Sequence, residues 1–181
     1  MGEPYEGVKF ECALTGPPEG MDAQVGEYLS IDAKLRNYLS PRNNEGNMSM
    51  RAAGSFLIKA AGAPMTQLTG EDVSFVYDVS EEEYSLKSKG KTPSSESFLH
   101  YYIYKFYPEI NIVLHFHDGH LMEKAKHLPS VGPFPCGSHD LAREAAKAKA
   151  AVVKIIEHGF LVKARNPQEL FGTLTALRSV Y

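Results

Sequence analysis

The amino-acid sequence predicts an α/β sandwich, and three observations carry that expectation. Apolar residues recur at helical spacing in some stretches and fill short, strand-length runs in others, and the two kinds are interspersed along the chain. The 181 residues, 43% apolar and 23% charged, suit one globular domain spanning 1–181 with a single core. No internal repeat or low-complexity linker divides them.

The elements follow in order. The Gly/Pro-containing stretch at 16–20 reads as a loop before the first helix. Residues 21–39 place Val25, Tyr28, Leu29, Ile31, Leu35 and Leu39 at roughly helical spacing, and Pro41 ends the pattern. Glu45 to Arg51 reads as a turn leading into a strand. Ser55–Lys59 and Val73–Val79 read as strands, with a turn-rich segment around Gly62-Ala63-Pro64 between them. Pro93 opens a second helix, its apolar stripe made by Leu99, Tyr102, Ile103 and Phe106, and Pro108 closes it. Ile110–His117 is an apolar strand that finishes in His-Phe-His-Asp. Ser138–Ala150 is an alanine-rich helix, Ala151–Ile156 a buried strand, and Gly159–Val162 continues as a hairpin arm. The last helix starts with Asn166 as N-cap, Pro167 at the first helical position and Glu169 completing a capping-box-like pattern. Leu170, Leu174 and Leu177 then face one way.

Charge and composition exclude some function classes. A net charge of -3 and a pI of about 6.2 argue against a broad nucleic-acid or anionic-membrane surface. No apolar run approaches the roughly 18 residues that span a bilayer, and the first six residues lack the basic and apolar regions of a secretory signal. With only Cys12 and Cys136, a disulfide framework is not expected, and the cytoplasm is the expected compartment.

The chemistry gathers on histidines. His115 and His117 lie two apart on a strand, so both side chains leave one face. Their Cα atoms are about 7 Å apart, and the rings can converge on one ion where the strand twists or ends. His-x-His alone says little. Two features strengthen it: the run Ile112-Val113-Leu114 stops abruptly at the pair, and Val152–Ile156 ends the same way at Glu157-His158-Gly159. Three neutral imidazoles leave a metal's charge uncompensated and a coordination position open, as in a catalytic site.

Glu96 is the fourth member. It lies in Pro93-Ser94-Ser95-Glu96, near an expected helix start where unpaired N–H groups attract anions. Ordinary capping accounts for the segment by itself. The functional reading is that the hydroxyls of Ser94 and Ser95 and the free N–H groups hold a phosphate or carboxylate while Glu96 reaches the metal. Asn47, in the turn before its strand, offers an amide to the same pocket. His100 shares a helix face with Glu96 and is expected to support it without ligating. His120, His127 and His139 are expected to be solvated, and Cys136 is given no chemistry.

On these residues the chain resembles the class II aldolase/adducin family, whose enzymes include L-fuculose-1-phosphate aldolase and L-ribulose-5-phosphate 4-epimerase. The resemblance runs from about Gly46 to Leu177 and rests on motifs in the family's order. These are Gly-Asn-x-Ser-x-Arg at 46–51, Pro-Ser-Ser-Glu at 93–96 with His100 four residues on, His-x-His at 115–117, and His-Gly at 158–159. It implies a three-layer α/β/α sandwich with a largely antiparallel central sheet. It also implies Zn2+, or another divalent transition metal, on His115, His117 and His158. Glu96 matches the carboxylate that binds the metal or moves the substrate proton. Asn47, Ser94, Ser95 and Gly62 match positions that hold a substrate phosphate. A small-molecule substrate, a sugar phosphate, and a homo-oligomer, by analogy a tetramer, are implied as well.

The sequence departs from the family in places. Lys59-Ala60-Ala61-Gly62 stands where Thr-Pro-Ser/Thr-Gly is usual, so a hydroxyl is lost and Lys59 could supply charge instead. Asp118 follows His117 where proline is usual. The stretch between His117 and His158 is shorter, and no match is assigned for a tyrosine proton donor. Nor does a long tail follow Tyr181. The resulting expectation is a zinc-dependent aldolase acting through an enediolate. Its alternatives are an epimerase or dehydratase of a phosphorylated pentose on the same site, and a non-catalytic adducin-like interaction module.

Overall fold

Alternation of side chains along the strands builds two apolar faces, and the helices divide between them. The computed structural model describes residues 9–41 and 45–180; the N-terminal hexapeptide and Tyr181, read above from sequence, lie outside them. The strands are β1 (Glu11–Leu14), β2 (Asn47–Ala52), β3 (Ser55–Lys59), β4 (Val73–Ser80), β5 (Ser85–Lys89), β6 (Ile112–Phe116), β7 (Ser130–Val131), β8 (Val152–Ile155) and β9 (Gly159–Ala164). Among the described residues they form one sheet in the order β1-β5-β4-β3-β2-β6-β9-β8-β7. Pairing is antiparallel from β5 through to β8, and only the outermost pairs, β1 with β5 and β7 with β8, are parallel. The sheet is largely antiparallel, as expected.

Helices α1 (Asp22–Leu35), α3 (Gly119–Lys124) and α5 (Pro167–Val180) cover one face, and α2 (Ser97–Phe106) and α4 (His139–Lys147) cover the other. Met48, Met50, Leu114, Phe116, Phe160 and Val162 pack with Tyr28 and Leu35 of α1 and with Leu170, Leu174 and Leu177 of α5. Phe56, Ile58, Val113, Val153 and Leu161 point the other way, to Phe98, Leu99 and Ile103 of α2 and Leu141, Ala142 and Ala145 of α4. Each large apolar side chain so buried contributes about 1.5–3 kcal/mol, so both helical layers are held by the sheet's period of two. The buried Tyr28 hydroxyl donates to the Met48 carbonyl at 2.6 Å, which satisfies its polar tip inside that layer. No helix among the described residues is long and apolar enough to cross a membrane.

Helix α2 starts at Ser97, four residues later than the expected opening at Pro93. The reason lies outside the segment. Pro93 bridges to Ala60, and the Ser94 N–H donates to the Lys59 carbonyl at 2.9 Å, so 93–94 extends along the exit of β3 before turning. Asn47 likewise lies in β2 and not in a preceding turn. The final helix begins as read, with Asn166 Oδ1 accepting from the Glu169 N–H at 2.9 Å. Asp118, where the family has proline, is the N-cap of α3: its Oδ1 accepts from the Leu121 N–H at 2.9 Å.

Candidate metal centre

Two chain segments deliver three imidazoles to the α2 side of the sheet. Along β6, Ile112, Leu114 and Phe116 turn to α1 and α5, so His115 turns with Val113 to α2. His117 follows just beyond the strand's last residue. From the neighbouring hairpin, β8 ends at Ile155, and Glu157 in the left-handed region at φ 62° turns the chain so that His158 precedes β9. The Nε2 atoms of His115 and His117 approach to 2.8 Å. One ligand atom from each of His115, His117 and His158 lies within 4.8 Å of the others.

Gly159 makes this crowding feasible. A Cβ there would stand 2.6 Å from the Phe116 carbonyl oxygen and 2.9 Å from both His115 Cε1 and His117 Cδ2. At Gly46, with φ 73°, a Cβ would stand 2.8 Å from the His115 carbonyl oxygen. The two glycines of the Gly-Asn and His-Gly motifs are thus required by close approach to β6.

Glu96, 5% exposed, meets the histidines from α2. Its Oε1 lies 3.0 Å from His158 Nε2, and its Oε2 lies 3.4 Å from His115 Nε2. Asn47 is registered opposite His115 across β2 and β6, and its Nδ2 donates to Glu96 Oε2 at 2.6 Å. Asn47 Oδ1 is buried without a hydrogen-bond partner. The amide expected at a phosphate is therefore on the carboxylate in this structure. His100, fully buried, has Nδ1 2.6 Å from Ser49 Oγ, which in turn lies 2.8 Å from the Tyr104 hydroxyl.

Electrostatics fit a cation-binding set. Burial pushes His115 well below the ordinary imidazole value; Glu96 pulls the other way and His117 and His158 add to the depression, so the ring is neutral. Burial lowers His117 too, with His158 adding to it. Burial works against the Glu96 carboxylate, but the hydrogen bonds it accepts from His158 and the Asn47 amide outweigh it and hold the group below the usual carboxylate range. His115 Nδ1 lies 3.1 Å from the Phe160 carbonyl, which fixes the proton on Nδ1 and leaves the Nε2 lone pair facing His117 and Glu96. Neutral imidazole lone pairs with an ionised carboxylate beside them are a donor set suited to zinc or a similar divalent transition metal.

The phosphate-site residues are only partly gathered. The 60–62 turn lies against 92–94, with the Ala61 N–H donating to the Thr92 carbonyl at 2.8 Å, so Gly62 and Ser94 come from adjoining segments. Gly62 has φ 78° with open space beside it. Ser94 and Ser95 are buried. However, the expected helix N-terminus at Ser94 is absent, and the first N–H groups of α2 are spent locally: Ser97 N–H donates to the Ser94 carbonyl and Leu99 N–H to the Glu96 carbonyl. Lys59 is not solvated. It is 2% exposed, and its Nζ donates to the Ala63 carbonyl at 2.7 Å, closing its own turn.

Two residues set aside on sequence are more engaged than expected. His139, expected to be solvated, has Nε2 2.6 Å from the Tyr102 hydroxyl and packs on Tyr84 and Phe98. Cys136, given no chemistry, lies with Glu96 and His158 in a second group whose ligand atoms are within 4.8 Å of one another. No local spacing could have found it, because the contact joins a loop to two distant elements. His120 and His127 are exposed, as expected. A cleft of about 230 Å³ opens beside His158, lined also by Pro133, Phe134, Pro135, Ile156 and Glu157.

The chain is similar to known proteins over most of its length. The family described as Class II Aldolase and Adducin N-terminal domain matches residues 41–180. A methylthioribulose-1-phosphate dehydratase of Serratia proteamaculans is 33% identical over 147 residues, 67% of this chain and 70% of that protein. A 5-methylthioribulose-1-phosphate/5-deoxyribulose-1-phosphate aldolase of Escherichia coli is 37% identical over 76 residues, but that stretch is 42% of this chain and only 33% of the relative's length. The crystal structure of a sugar-phosphate aldolase from Thermotoga maritima superposes with a TM-score of 0.72 at 17% identity, covering 88% of this chain and 92% of that one, a likeness of fold.

Proposed function

This chain belongs to the class II aldolase and adducin family, and on that premise we propose that it is a divalent-metal lyase acting on a sugar phosphate or a related hydroxy-carbonyl compound. The meeting of His115, His117 and His158 with an ionised, buried Glu96 carries the reading. The three imidazoles would hold the metal, zinc being the natural choice for neutral nitrogen ligands. When bound, such an ion is a Lewis acid that stabilises negative charge on the carbonyl and adjacent hydroxyl oxygens of the substrate.

Glu96 moves the proton. In aldol cleavage the ionised Glu96 would accept the proton that the β-hydroxyl gives up as it becomes the aldehyde carbonyl, and pass it to the carbon that keeps the bonding pair when the carbon–carbon bond breaks. Asn47 fixes the carboxylate's orientation through Oε2, and the burial of Glu96 keeps bulk water from competing for its proton. A second reading, dehydration, is supported by the dehydratase relative that spans two thirds of this chain. There Glu96 would take the proton from the carbon beside the carbonyl as the β-hydroxyl leaves. Epimerisation by cleavage and re-formation of a carbon–carbon bond asks the same of these residues. A homo-oligomer, a tetramer by family analogy, completes the proposal, and light scattering tests it.

Metal analysis of the purified chain separates a lyase from an adducin-like interaction module. The expected result is about one transition metal per chain. A screen of phosphorylated and unphosphorylated ketoses and aldoses, read for aldehyde release and for loss of water by mass spectrometry, then separates aldolase from dehydratase. A chain that holds no metal and turns over none of them would overturn the proposal.

A further inference from the structure

We infer that Cys136 is a sulfur ligand for the metal, sharing it with His158 beside Glu96. The inference rests on the metal-lyase reading and adds a donor to it. The Cys136 thiol, the Glu96 carboxylate and the His158 ring each offer one ligand atom, all within 4.8 Å of one another. His158 also belongs to the three-histidine group, so the two groups of donors share a corner.

The loop that carries the thiol is a built structure. Lys9 Nζ donates to the Cys136 carbonyl at 2.7 Å, the Tyr84 hydroxyl to the Gly137 carbonyl at 3.3 Å, and the Ser138 N–H to the Pro135 carbonyl at 3.1 Å. Gly137, at φ 65°, lies against Ser95, the residue before Glu96. Ser138 Oγ accepts from the Leu141 N–H and caps α4 directly after the loop. These contacts hold residue 136 against the segment that carries Glu96. A free cysteine placed for packing behaves as a small hydrophobe in an apolar core. Cys136 is half-buried, and its thiol has a carboxylate and an imidazole donor atom within 4.8 Å.

The chemistry is simple coordination. The S–H gives its proton to solvent as the sulfur–metal bond forms, so metal binding releases one proton from this residue and needs no oxidant. A thiolate beside imidazoles selects zinc, cobalt and similar ions over magnesium or manganese.

The test is to load the full chain with one equivalent of cobalt(II) and record its absorption spectrum. The wild type should show the intense near-ultraviolet thiolate-to-cobalt band, which nitrogen and oxygen ligands alone do not give, and Cys136→Ser should lose it while still binding cobalt. As an independent measurement on the wild type, one equivalent of zinc should slow alkylation of Cys136 by iodoacetamide about tenfold or more and leave Cys12 unchanged. Cobalt bound without the band, the band persisting in Cys136→Ser, or alkylation of Cys136 indifferent to zinc would each overturn the inference. If the wild type binds no cobalt at all, the three-histidine reading falls and the sulfur ligand falls with it. The cobalt count distinguishes that outcome from a failure of Cys136 alone.

Discussion

Replacing Gly159 with alanine should damage the candidate metal centre without touching any ligand. The added Cβ would stand 2.6 Å from the Phe116 carbonyl oxygen, well inside an ordinary contact of roughly 3.4 Å or more. It would also press on His115 Cε1 and His117 Cδ2 at 2.9 Å each. Residue 159 opens β9, which is paired with β6 on one side and β8 on the other, so the backbone has little room to retreat. Overpacking of this kind costs about 1–3 kcal/mol. Alanine's smaller loss of backbone freedom returns roughly 0.5–1 kcal/mol. The net expectation is a loss of about 2.5 kcal/mol at most in the metal-free protein. The two rings must give by tenths of an ångström, and disturbing the surroundings of ligands usually costs about 10–100-fold in metal affinity. Urea unfolding in the presence of a chelator reads the first effect, and competition with a chromophoric chelator reads the second. Gly172→Ala is the control. Gly172 is exposed on α5 with nothing within 4 Å of its would-be Cβ, and alanine there should stabilise by about 0.5–1 kcal/mol with zinc affinity unchanged. If Gly159→Ala binds zinc as tightly as the wild type, the crowding argument is wrong.

Other substitutions separate roles that the site combines. Glu96→Gln should keep the fold and the metal content but lower turnover about 100-fold or more, the usual size of a general acid–base effect; near-normal turnover removes Glu96 from the proton path. Burial lowers the Lys59 pKa to about 8, with Glu96 and Asp32 partly opposing it. The unfolded chain therefore holds one more proton between pH 8 and about 10.5, and stability should climb with pH across that window by roughly 3 kcal/mol. Lys163 is lowered to about 8 in the same way and contributes to both proteins. Denaturant titrations at pH 7.5 and 10 should therefore show the wild type climbing by roughly 3 kcal/mol more than Lys59→Met, and equal climbs would refute it. Ser94→Ala/Ser95→Ala should weaken binding of a sugar phosphate about tenfold, as loss of a hydrogen bond to a charged group does. Equal binding by calorimetry would point to an unphosphorylated substrate.

The parts of the fold legible in the sequence are those set by local pattern. Ser55–Lys59 was fully specified by its apolar run, and the last helix by Asn166, Pro167 and its leucine stripe. Strands β1 and β5 were not legible. Ser85-Leu86-Lys87-Ser88-Lys89 buries only Leu86 and Ser88 of its residues, so its alternation is written partly in a small polar side chain. The late start of α2 was hidden for a different reason. Pro93 and Ser94 carry helix-opening signals, yet their backbone is committed to Ala60 and Lys59, more than thirty positions away.

The site divides along the same line. His115 and His117 were legible because a period of two puts both on one face, and His158 because an apolar run stops at it. Asn47 shows what the pattern could not carry: its motif position was read, but its partner was not, because the 2.6 Å contact to Glu96 depends on the register of β2 against β6. Cys136 goes one step further, since no motif contains it and only the packing of its loop on Ser95 brings it to Glu96 and His158. Lys59 is the reverse case. Its place in the phosphate motif suggested a ligand for an anion, but β3 turns Leu57 toward α1, and Lys59 shares its parity. The amine therefore goes to the Ala63 carbonyl, within the electrostatic reach of both Glu96 and Asp32. A motif names a position along the chain, while the parity of its strand decides which layer the side chain serves.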